Sequence, residues 1–356
     1  MGIKKLFTFL DNNHLYKKYS YLNDLVLDLH IDKNKLLVGV DGNLFCYKYT
    51  HSYDNMLIGF FNQILKFLSN KIIPIYIFDG GTLQEKETTN LFRYYKKIAC
   101  KHKLEQVEEQ IDVIENTENA IKYDQNNKDE LLLIKKKLEK NSTIINNENI
   151  LILLELFDLL NIPYLFSYGE GEYLAVMLNK YNIIDFFLTD DTDPLPAGIH
   201  KTIKFYNNSV YYLETKQIYQ QLNLNPKEFC DFCILLGSDY VIFNHCLKPI
   251  ELYELILKYK SIEEIISNNV IECINNDIIE IVNKIRNIYY VSDNFEKNMF
   301  IKNKNFFNCN VDSQNILTTS IIESSSINLI IDHTDMSYYS NIILEFWDEY
   351  INIISL

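Results

Sequence analysis

The chain has 356 residues, of which 47% are hydrophobic, so it is long enough to bury the core of one large α/β domain or of two closely packed ones. Its formal net charge of −14 argues against a protein that holds nucleic acid by bulk positive charge, so nucleic-acid contacts would have to come from local basic patches. No apolar run approaches the roughly 18 residues of a membrane-spanning helix, and the start of the chain lacks the apolar stretch of a secretory signal.

The seven cysteines indicate a reducing environment. Their number is odd, and the one C-x-x-C spacing, from Cys230 to Cys233, lies in an apolar helical run without the second pair that a zinc site needs. We therefore interpret the cysteines as reduced thiols packed in a core, and we expect an intracellular protein.

Four apolar, β-branched runs predict strands, and three of them end in aspartate. They are residues 36–40 before Asp41, 72–78 before Asp79, 184–189 before Asp190, Asp191 and Asp193, and 202–206. Helical spacing of apolar residues over 56–68, 150–160 and 172–178 predicts the helices between them. This alternation predicts an α/β fold with a central, mostly parallel sheet flanked by helices. One aspartate after a strand is commonly a helix cap, but three of them predict a functional site at the edge where such sheets gather their sites.

Residues 84–145 form a charged, glycine-poor insert that predicts one or two long helices. From Arg93 to Lys103 the chain carries five Lys or Arg residues and no acid. Arg93, Lys96, Lys97 and Lys101 have the spacing of one helical face. This face is either an ordinary solvated surface or a phosphate-facing one, and both interpretations stay open.

The last part of the chain, from Pro226 onward, is predicted to be helical over 227–236, 249–259 and 261–267. Beyond residue 303 the chain is rich in Asn and Ser. A last helix is predicted over 336–354, and it carries the single tryptophan, Trp347.

Two further acidic elements complete a set of carboxylates suited to phosphodiester hydrolysis. Glu170 and Glu172 lie where an apolar segment meets a helix, and Asp239 follows an apolar helical run. Two metal ions roughly 3.5–4 Å apart can generate the attacking nucleophile and stabilise the leaving oxygen. A ligand set without His or Cys favours Mg²⁺, with Mn²⁺ as a substitute, over Zn²⁺.

Several blocks of the chain resemble the flap endonuclease family, the XPG-type structure-specific 5′ nucleases, over roughly residues 1–270 apart from the charged insert. The matching blocks are Met1–Leu6, Val40–Asn43, Pro74–Gly80, Asn161–Tyr164 with Glu170–Glu172, Thr189–Asp193 and Cys233–Tyr240. The resemblance implies a PIN-like nuclease core that hydrolyses DNA as a flap endonuclease, a 5′-to-3′ exonuclease or both, in replication, repair or recombination.

The resemblance also implies roles for individual residues. Asp41, Asp79, Glu170 and Glu172 would hold one metal ion, and Asp191, Asp193 and Asp239 mainly the other. Lys86 and Arg93 fall where the family has its catalytic Lys and Arg, which neutralise the scissile phosphate. Tyr47 falls where the family stacks an aromatic ring on a base, Gly2 is expected near the DNA, and Lys96, Lys97 and Lys101 are expected to contact it.

Two departures from the family pattern limit what the resemblance implies. The family carries Gly-Ile-Gly-Pro-Lys in a duplex-gripping helix-hairpin-helix, but the run from His245 to Ile250 lacks both glycines. The chain also lacks, near its end, the Gln-x-x-hydrophobic-x-x-aromatic-aromatic pattern of sliding-clamp binding. We therefore expect DNA with 5′ flaps, nicks or ends as the partner, with no sliding clamp recruited by that route and no membrane.

The resulting expected organisation has five parts. They are the first part of the nuclease core (1–83), a helical arch (84–145), the second part of the core (146–225), a helical DNA-binding region with a divergent hairpin (226–300), and a C-terminal tail and helix (301–356).

Two alternatives stay open beside the nuclease interpretation. One is a non-catalytic nucleic-acid-binding or scaffold protein on the same fold, and the other is a junction-directed or RNA-directed nuclease. The heavy use of Ile, Asn, Lys and Tyr is typical of AT-rich genomes, so a large DNA virus or a microbial eukaryote is the expected source. The expected location is then a nucleus or a cytoplasmic viral replication site.

Overall fold

The computed structural model describes residues 2–29, 36–53, 55–80, 86–116, 125–160, 162–167, 169–243, 246–271 and 278–290. The predicted last helix over 336–354 and the Asn- and Ser-rich segment before it lie outside the described residues, as does His245 of the predicted hairpin. No helix within the described ranges is long and apolar enough to cross a membrane.

Within the described residues, seven strands form one sheet. They are β1 (Lys17–Tyr19), β2 (Leu36–Asp41), β3 (Ile72–Phe78), β4 (Tyr164–Phe166), β5 (Phe186–Leu188), β6 (Lys201–Tyr206) and β7 (Ser209–Glu214). Their order across the sheet is β1-β7-β6-β5-β2-β3-β4. The strands from β6 to β4 pair in parallel, and β7 pairs antiparallel with both β6 and β1. The predicted α/β fold with a mostly parallel sheet is confirmed.

The strands that the sequence did not predict are short or lie near a sheet edge. β1 and β4 have three residues each, too few for a readable pattern. β7 is joined to β6 by Asn207 and Asn208, which both have positive φ, at 47° and 55°. This two-residue turn suits a tight antiparallel hairpin. A hairpin without the usual Asn-Gly signal is not evident from sequence.

The helices of the described ranges cover both faces of the sheet and its ends. They are α1 (Leu6–Asn12), α2 (Leu22–Asp28), α3 (Gly42–Ser52), α4 (Met56–Leu68), α5 (Glu87–Asn116), α6 (Gln125–Ser142), α7 (Asn147–Leu159), α8 (Gly171–Lys180), α9 (Thr215–Leu222), α10 (Pro226–Leu236), α11 (Pro249–Tyr259), α12 (Ile262–Ser267) and α13 (Ile279–Tyr289). The predicted helices over 56–68 and 249–259 have the observed bounds, and the others were predicted to within a few residues or not at all.

The fully buried strand β3 separates two hydrophobic cores. Ile75 and Ile77 pack into one core, while Tyr76 and Phe78 pack into the other. Successive side chains of a strand point to opposite faces, so a strand with both faces covered reads as a continuous apolar run. This is why β3 was readable from sequence over its whole length.

Among the described cysteines, Cys46, Cys230 and Cys233 are buried free thiols. Cys246 is also a free thiol but is exposed, so the expectation that the cysteines pack in a core is wrong for this residue. It lies in the loop before α11, where the chain has no apolar run to bury it.

The parallel register brings the acidic strand ends to one edge of the sheet. Asp41, the last residue of β2, pairs with Ile77 of β3, and Asp79 follows one residue after β3 ends. β5 lies on the other side of β2 and leads into Asp190 and Asp191. The carboxyl ends of parallel strands therefore form one acidic edge, as is usual for sites in open α/β sheets.

Candidate active site

Asp41 lies at the centre of the acidic edge, between β2 and α3. Its side chain caps α3 by accepting a hydrogen bond from the Leu44 amide at 2.9 Å, and it accepts a second from the Thr189 hydroxyl at 2.9 Å. Burial and, after it, the nearby carboxylates of Asp79 and Asp191 raise the pKa of Asp41 to about 7, although these two hydrogen bonds lower it. The strand end therefore serves as a helix cap and as a site carboxylate at once.

Asp79 joins the end of β3 to the start of α8. It accepts hydrogen bonds from the Gly171 amide at 2.6 Å and from the Asn43 side-chain amide at 2.5 Å. Burial raises its pKa, while the Gly171 hydrogen bond opposes this. Glu170 occupies the N-cap position of α8, and Glu172 lies in the first turn of that helix. Both glutamates therefore lie at the sheet edge where Asp79 follows β3.

Glu172, Asp191 and Asp193 form the tightest carboxylate group among the described residues. Each offers an oxygen within 4.8 Å of the others. Oε2 of Glu172 and Oδ2 of Asp193 are buried and have no hydrogen-bond partner in the described part of the chain. Buried oxygens without partners are costly unless a cation or a proton satisfies them. This all-oxygen group therefore fits a hard divalent metal ion, and these residues could hold one.

The electrostatics of this group point the same way. Burial raises the pKa of Asp193 to about 8, and Asp191 adds to the effect. Burial likewise raises the pKa of Glu172 well above its ordinary value, followed by the charges of Asp191 and Asp193. Three carboxylates this close repel one another when ionised, so the group does not stabilise the fold by itself.

The loop after β5 is shaped by its own side chains and by the amino terminus. Oδ1 of Asp191 accepts hydrogen bonds from the amides of Thr192 at 2.6 Å and Asp193 at 3.3 Å. The Ile3 amide donates to the Thr192 hydroxyl at 2.9 Å. Gly2 has φ +81°, and a Cβ on it would lie 1.7 Å from Oδ1 of Asp191. Only glycine fits this position, so the start of the chain packs directly against a candidate metal ligand.

Lys86 lies inside the carboxylate cluster. It is 7% exposed, and its amine lies 2.7 Å from Oε2 of Glu170 and 3.8 Å from Oδ2 of Asp193. The amine also lies 5.0 Å from the centre of the Tyr240 ring. Burial lowers the pKa of Lys86, but the Tyr240 hydroxyl and the surrounding carboxylates outweigh burial and raise it, so the amine is charged.

Arg93 brings the base of α5 to the same cluster. Its guanidinium lies 2.5 Å from Oδ2 of Asp239, and the side chain is 38% exposed. Thr89, one turn earlier, donates to the backbone carbonyl of Asp239 at 2.7 Å. The predicted pair of cations thus lies beside the predicted carboxylates, with one cation buried and the other open to solvent.

Tyr47 on α3 contacts α5 a turn further along. The Lys97 amine donates to the Tyr47 hydroxyl at 3.1 Å and lies 4.4 Å from the centre of its ring. Lys96 and Lys101 are exposed. The predicted basic face is therefore divided, because Arg93 and Lys97 contact the core while the other two lysines face solvent.

The segment after Asp239 connects α10 to α11. Gly237 ends α10 with φ +89°, and its carbonyl accepts a hydrogen bond from the Lys4 amide at 2.8 Å. Lys248 occupies the N-cap position of α11, and its backbone amide donates to the Glu251 side chain at 2.5 Å. The glycine-less hairpin therefore leads into α11 through an ordinary helix cap.

The structure brings all seven predicted carboxylates, both predicted cations and Gly2 to one edge of the sheet. It places Glu172 with Asp191 and Asp193, whereas the family pattern grouped Glu172 with Asp41 and Asp79. Glu172 lies between the two groups, so the division of the carboxylates between two metals stays a prediction.

Sequence reasoning missed the residues that orient these groups. They are Asn43, Thr189, Tyr240 and Tyr289. The first three lie inside blocks that match the family and could have been found there. Tyr289 gave no signal, because it contacts Asp193 across 96 residues of sequence.

A parallel sheet whose carboxyl edge gathers buried carboxylates and two cations has the site of a nuclease. The family model described as XPG N-terminal domain matches residues 1–98, and the one described as XPG I-region matches residues 161–239. Flap endonuclease 1 of Enterocytozoon bieneusi (strain H348) is 26% identical over 342 residues, which cover 92% of this chain and 87% of that protein. The chain belongs to the XPG-type flap endonuclease family.

Solved structures show the same fold. The structure of flap endonuclease-1 from Methanococcus jannaschii matches with a TM-score of 0.60 and 17% identity, over 96% of this chain and 98% of that one. The catalytic core of Rad2 in complex with DNA substrate matches with a TM-score of 0.58 and 17% identity, over 97% and 100%. The chain spans about half the length, 52%, of the vertebrate flap endonuclease 1 relatives that it matches.

Proposed function

We propose that this protein is a Mg²⁺-dependent, structure-specific 5′ nuclease that hydrolyses DNA near 5′ flaps, nicks or ends. The observation that carries this proposal is the group of Glu172, Asp191 and Asp193 next to the charged amine of Lys86. Two oxygens of this group are buried without a hydrogen-bond partner among the described residues. A cluster of this kind binds a divalent cation and presents a positive charge to a phosphate.

The metal ligands of the proposed site are the seven carboxylates at the sheet edge. They are Asp41, Asp79, Glu170, Glu172, Asp191, Asp193 and Asp239. When bound, two Mg²⁺ ions would lower the pKa of water and stabilise the leaving oxygen, and Mn²⁺ would substitute for them. Asp41 and Asp79 are held in place by helix-capping and amide hydrogen bonds, so the chain prepares their geometry before a metal binds.

Lys86 and Arg93 are the proposed catalytic residues. Both would donate hydrogen bonds to the oxygens of the scissile phosphate and offset its developing negative charge. Arg93 is the more exposed, so it can exchange its contact with Asp239 for a phosphate without leaving a buried charge. Lys86 is enclosed by carboxylates, which keep it protonated.

The surfaces beside the site are proposed to bind the substrate. Tyr47 would stack on a base next to the cut, and Gly2 lies where the strand would pass Asp191. Lys96, Lys97 and Lys101 on α5 would contact phosphates of a strand admitted by the arch of residues 84–145.

We also propose the five-part organisation given above. Residues 1–83 and 146–225 would form the nuclease core around the arch, and 226–300 would bind duplex. Residues 301–356 lie outside the described residues. The DNA role places the protein where a genome is replicated, repaired or recombined, in a nucleus or at a cytoplasmic viral replication site.

One observation favours a second candidate substrate. The hairpin before α11 lacks the two glycines that let a backbone approach a duplex phosphate closely, and Lys248 there caps a helix instead. A junction or an RNA-containing substrate is therefore the second candidate for the same chemistry.

The test is a cleavage assay on end-labelled DNA with a 5′-flap duplex, a nicked duplex, a four-way junction and a single strand. Wild-type protein, Asp191→Ala and the exposed control Asp158→Ala on α7 would be compared in Mg²⁺, Mn²⁺ and EDTA. We expect metal-dependent cutting near the flap junction that only Asp191→Ala loses. Folded wild-type protein that cuts nothing with either metal would favour the scaffold alternative.

A further inference from the structure

Tyr289, the last residue of α13, reaches the carboxylate cluster at Asp193. It is 1% exposed, and its hydroxyl donates to Oδ1 of Asp193 at 3.4 Å. The other oxygen of Asp193, Oδ2, is the one without a hydrogen-bond partner in the described residues. The tyrosine thus contacts one oxygen of Asp193, while the second oxygen faces the Lys86 amine at 3.8 Å.

Tyr289 also packs against Tyr240, whose ring contacts the amine of Lys86. Its ring packs edge-on against Tyr240, with the ring centres 5.9 Å apart. The Tyr240 hydroxyl shares a 2.8 Å hydrogen bond with the Tyr173 hydroxyl, and the Tyr240 ring lies under the Lys86 amine. Tyr289 therefore contacts both the candidate ligand Asp193 and the tyrosine ring that lies under the amine of Lys86.

The end of α13 is fixed by an ion-pair network one turn before Tyr289. The guanidinium of Arg286 forms two hydrogen bonds to Asp231 on α10, at 2.6 and 2.7 Å, and contacts Glu263 on α12 at 2.8 Å. The side chain of Asp231 is 4% exposed and also accepts from the Ile262 amide at 3.1 Å. A two-point contact between a guanidinium and a carboxylate fixes both their distance and their relative orientation. It therefore restrains α13 against sliding along α10.

A hydrogen bond to one oxygen of a carboxylate fixes the plane in which the other oxygen points. Partners of metal ligands act in this way in metal sites generally, and removing them weakens metal binding even though they never touch the metal. A buried tyrosine hydroxyl in turn needs an acceptor, which Asp193 provides.

We propose that Tyr289 is a positioning residue of the metal centre, which orients Asp193 through its hydroxyl while Arg286 anchors its helix. This inference rests on the proposed function, because it concerns the same carboxylates. It assigns a role to α13, which lies beyond the segments matched by the family models.

The test is Tyr289→Phe, which keeps the buried ring and removes the hydroxyl. Mn²⁺ binding by the full chain without DNA would be measured by calorimetry and by the metal-dependent rise of the thermal midpoint. We expect an affinity about tenfold weaker than wild type. In single-turnover cleavage of flap DNA, the rate at saturating DNA should fall, KM for DNA should stay unchanged, and raised Mn²⁺ should restore part of the rate.

The matched control is Tyr253→Phe on α11. This change removes a hydroxyl that donates to the Leu222 carbonyl at 2.9 Å. It should leave Mn²⁺ affinity unchanged, and Asp193→Asn should weaken it strongly. Wild-type affinity in Tyr289→Phe, with loss in Asp193→Asn, would overturn the role of Tyr289 and leave the nuclease proposal intact. Metal binding that depends on Asp193 and Tyr289, without cutting of any DNA, would instead overturn the proposed function and support the positioning role.

Discussion

At the scale of single residues, the site consists of carboxylates whose burial opposes their ionisation. Asp41, Glu172 and Asp193 all have raised pKa values with burial as the largest cause, and each is raised further by Asp191. The residue types could be read from sequence because each acid follows a strand, opens a helix or, for Asp239, follows an apolar helix. Their mutual repulsion could not be predicted from sequence, because it depends on distances between segments far apart in the chain.

Asp191→Asn should stabilise the protein in the absence of metal. The asparagine keeps the oxygen that accepts from the Thr192 and Asp193 amides but removes the charge that raises the pKa of Asp41, Glu172 and Asp193. The expected gain in unfolding free energy is about 1 kcal/mol, the size of one like-charge contact at about 4 Å in water. Urea unfolding in EDTA measures it, with Asp158→Asn on the exposed face of α7 as the unchanged control. A lower midpoint for Asp191→Asn would contradict the repulsion.

The stability of the metal-free protein should fall as pH rises. Asp41 and Asp193 have native pKa values of about 7 and 8, against ordinary values of 3.8. Between those limits the native state binds more protons than the unfolded state, so raising the pH through this window favours unfolding. Mg²⁺ needs ionised ligands, so its stabilising effect should grow over the same window.

Thermal midpoints from about pH 5.5 to about pH 8.5, in EDTA and in Mg²⁺, measure both trends. Asp193→Asn should flatten the metal-free profile, because one of the titrating groups is gone. A wild-type midpoint in EDTA that rises toward pH 8.5 would contradict the raised native pKa values of these two carboxylates.

Gly2→Ala should impair the site through Asp191. The added Cβ would occupy the space of Oδ1, and the φ of +81° costs an alanine about 1–2 kcal/mol. We expect a drop in cleavage rate of about 100-fold, the effect of misplacing a reacting group by about 1 Å. Gly169→Ala is the control, since a Cβ there would meet no atom of the described residues within 4 Å. Equal rates for the two variants would show that the amino terminus does not constrain Asp191.

At the scale of elements, the readable helices and strands are those with a complete apolar pattern. α4 begins where the Asn55 side chain accepts from the Leu57 amide, and it buries nine of its 13 residues, so its bounds were predicted from spacing. α13 was not predicted, and its position is set by charge as well as by apolar packing. The network of Arg286 with Asp231 and Glu263 joins α10, α12 and α13, a contact between residues 55 apart in sequence.

Arg286→Met should destabilise the protein by about 3–5 kcal/mol, because it leaves the buried carboxylate of Asp231 charged and without its partner. Lys284→Met on the same helix is the control. Its pair with Glu280 is exposed, so its loss should change stability by less than about 0.5 kcal/mol. Chemical denaturation measures both variants.

The double variant Asp231→Asn with Arg286→Met should recover part of the loss, since it removes the uncompensated charge. If the single variant Arg286→Met were as stable as wild type, the network would contribute no anchoring to α13, and the support proposed for Tyr289 would lose its basis.

At the scale of the whole molecule, a net charge of −14 coexists with a surface proposed to bind DNA. The net charge does not favour long-range attraction, so the proposed binding would depend on local cations such as the exposed lysines of α5. The seven candidate ligands lie together at the sheet edge, where metal ions would reverse the local sign.

Lys96→Ala and Lys101→Ala should each weaken flap binding and reduce the dependence of log affinity on log salt by about 0.7–0.9. Binding would be measured with the cleavage-deficient Asp191→Ala protein. Lys66→Ala is the control, because Lys66 is exposed at the end of α4 that leads into the start of β3, at the opposite edge of the sheet from the carboxylates. An unchanged slope for the α5 variants would place the DNA on another surface.

The sequence by itself determined the class of fold, the acidic edge and the identity of the candidate ligands. Buried parallel strands are continuous apolar runs, and the residue that ends such a strand must lie at its carboxyl edge. The resemblance to the family added Lys86 and Arg93, by their spacing after Asp79, as the expected catalytic cations. These inferences concern residues whose roles follow from their own segment.

Only the tertiary structure decided how the segments meet. It placed Glu172 beside Asp191 and Asp193, packed Gly2 against Asp191, and brought Tyr289 to Asp193. Each is a contact between segments distant in the chain, and neither hydrophobic period nor helix propensity carries information about such pairs. They are fixed by the order of the strands in the sheet and by buried ion pairs, which exist only once the whole chain has folded.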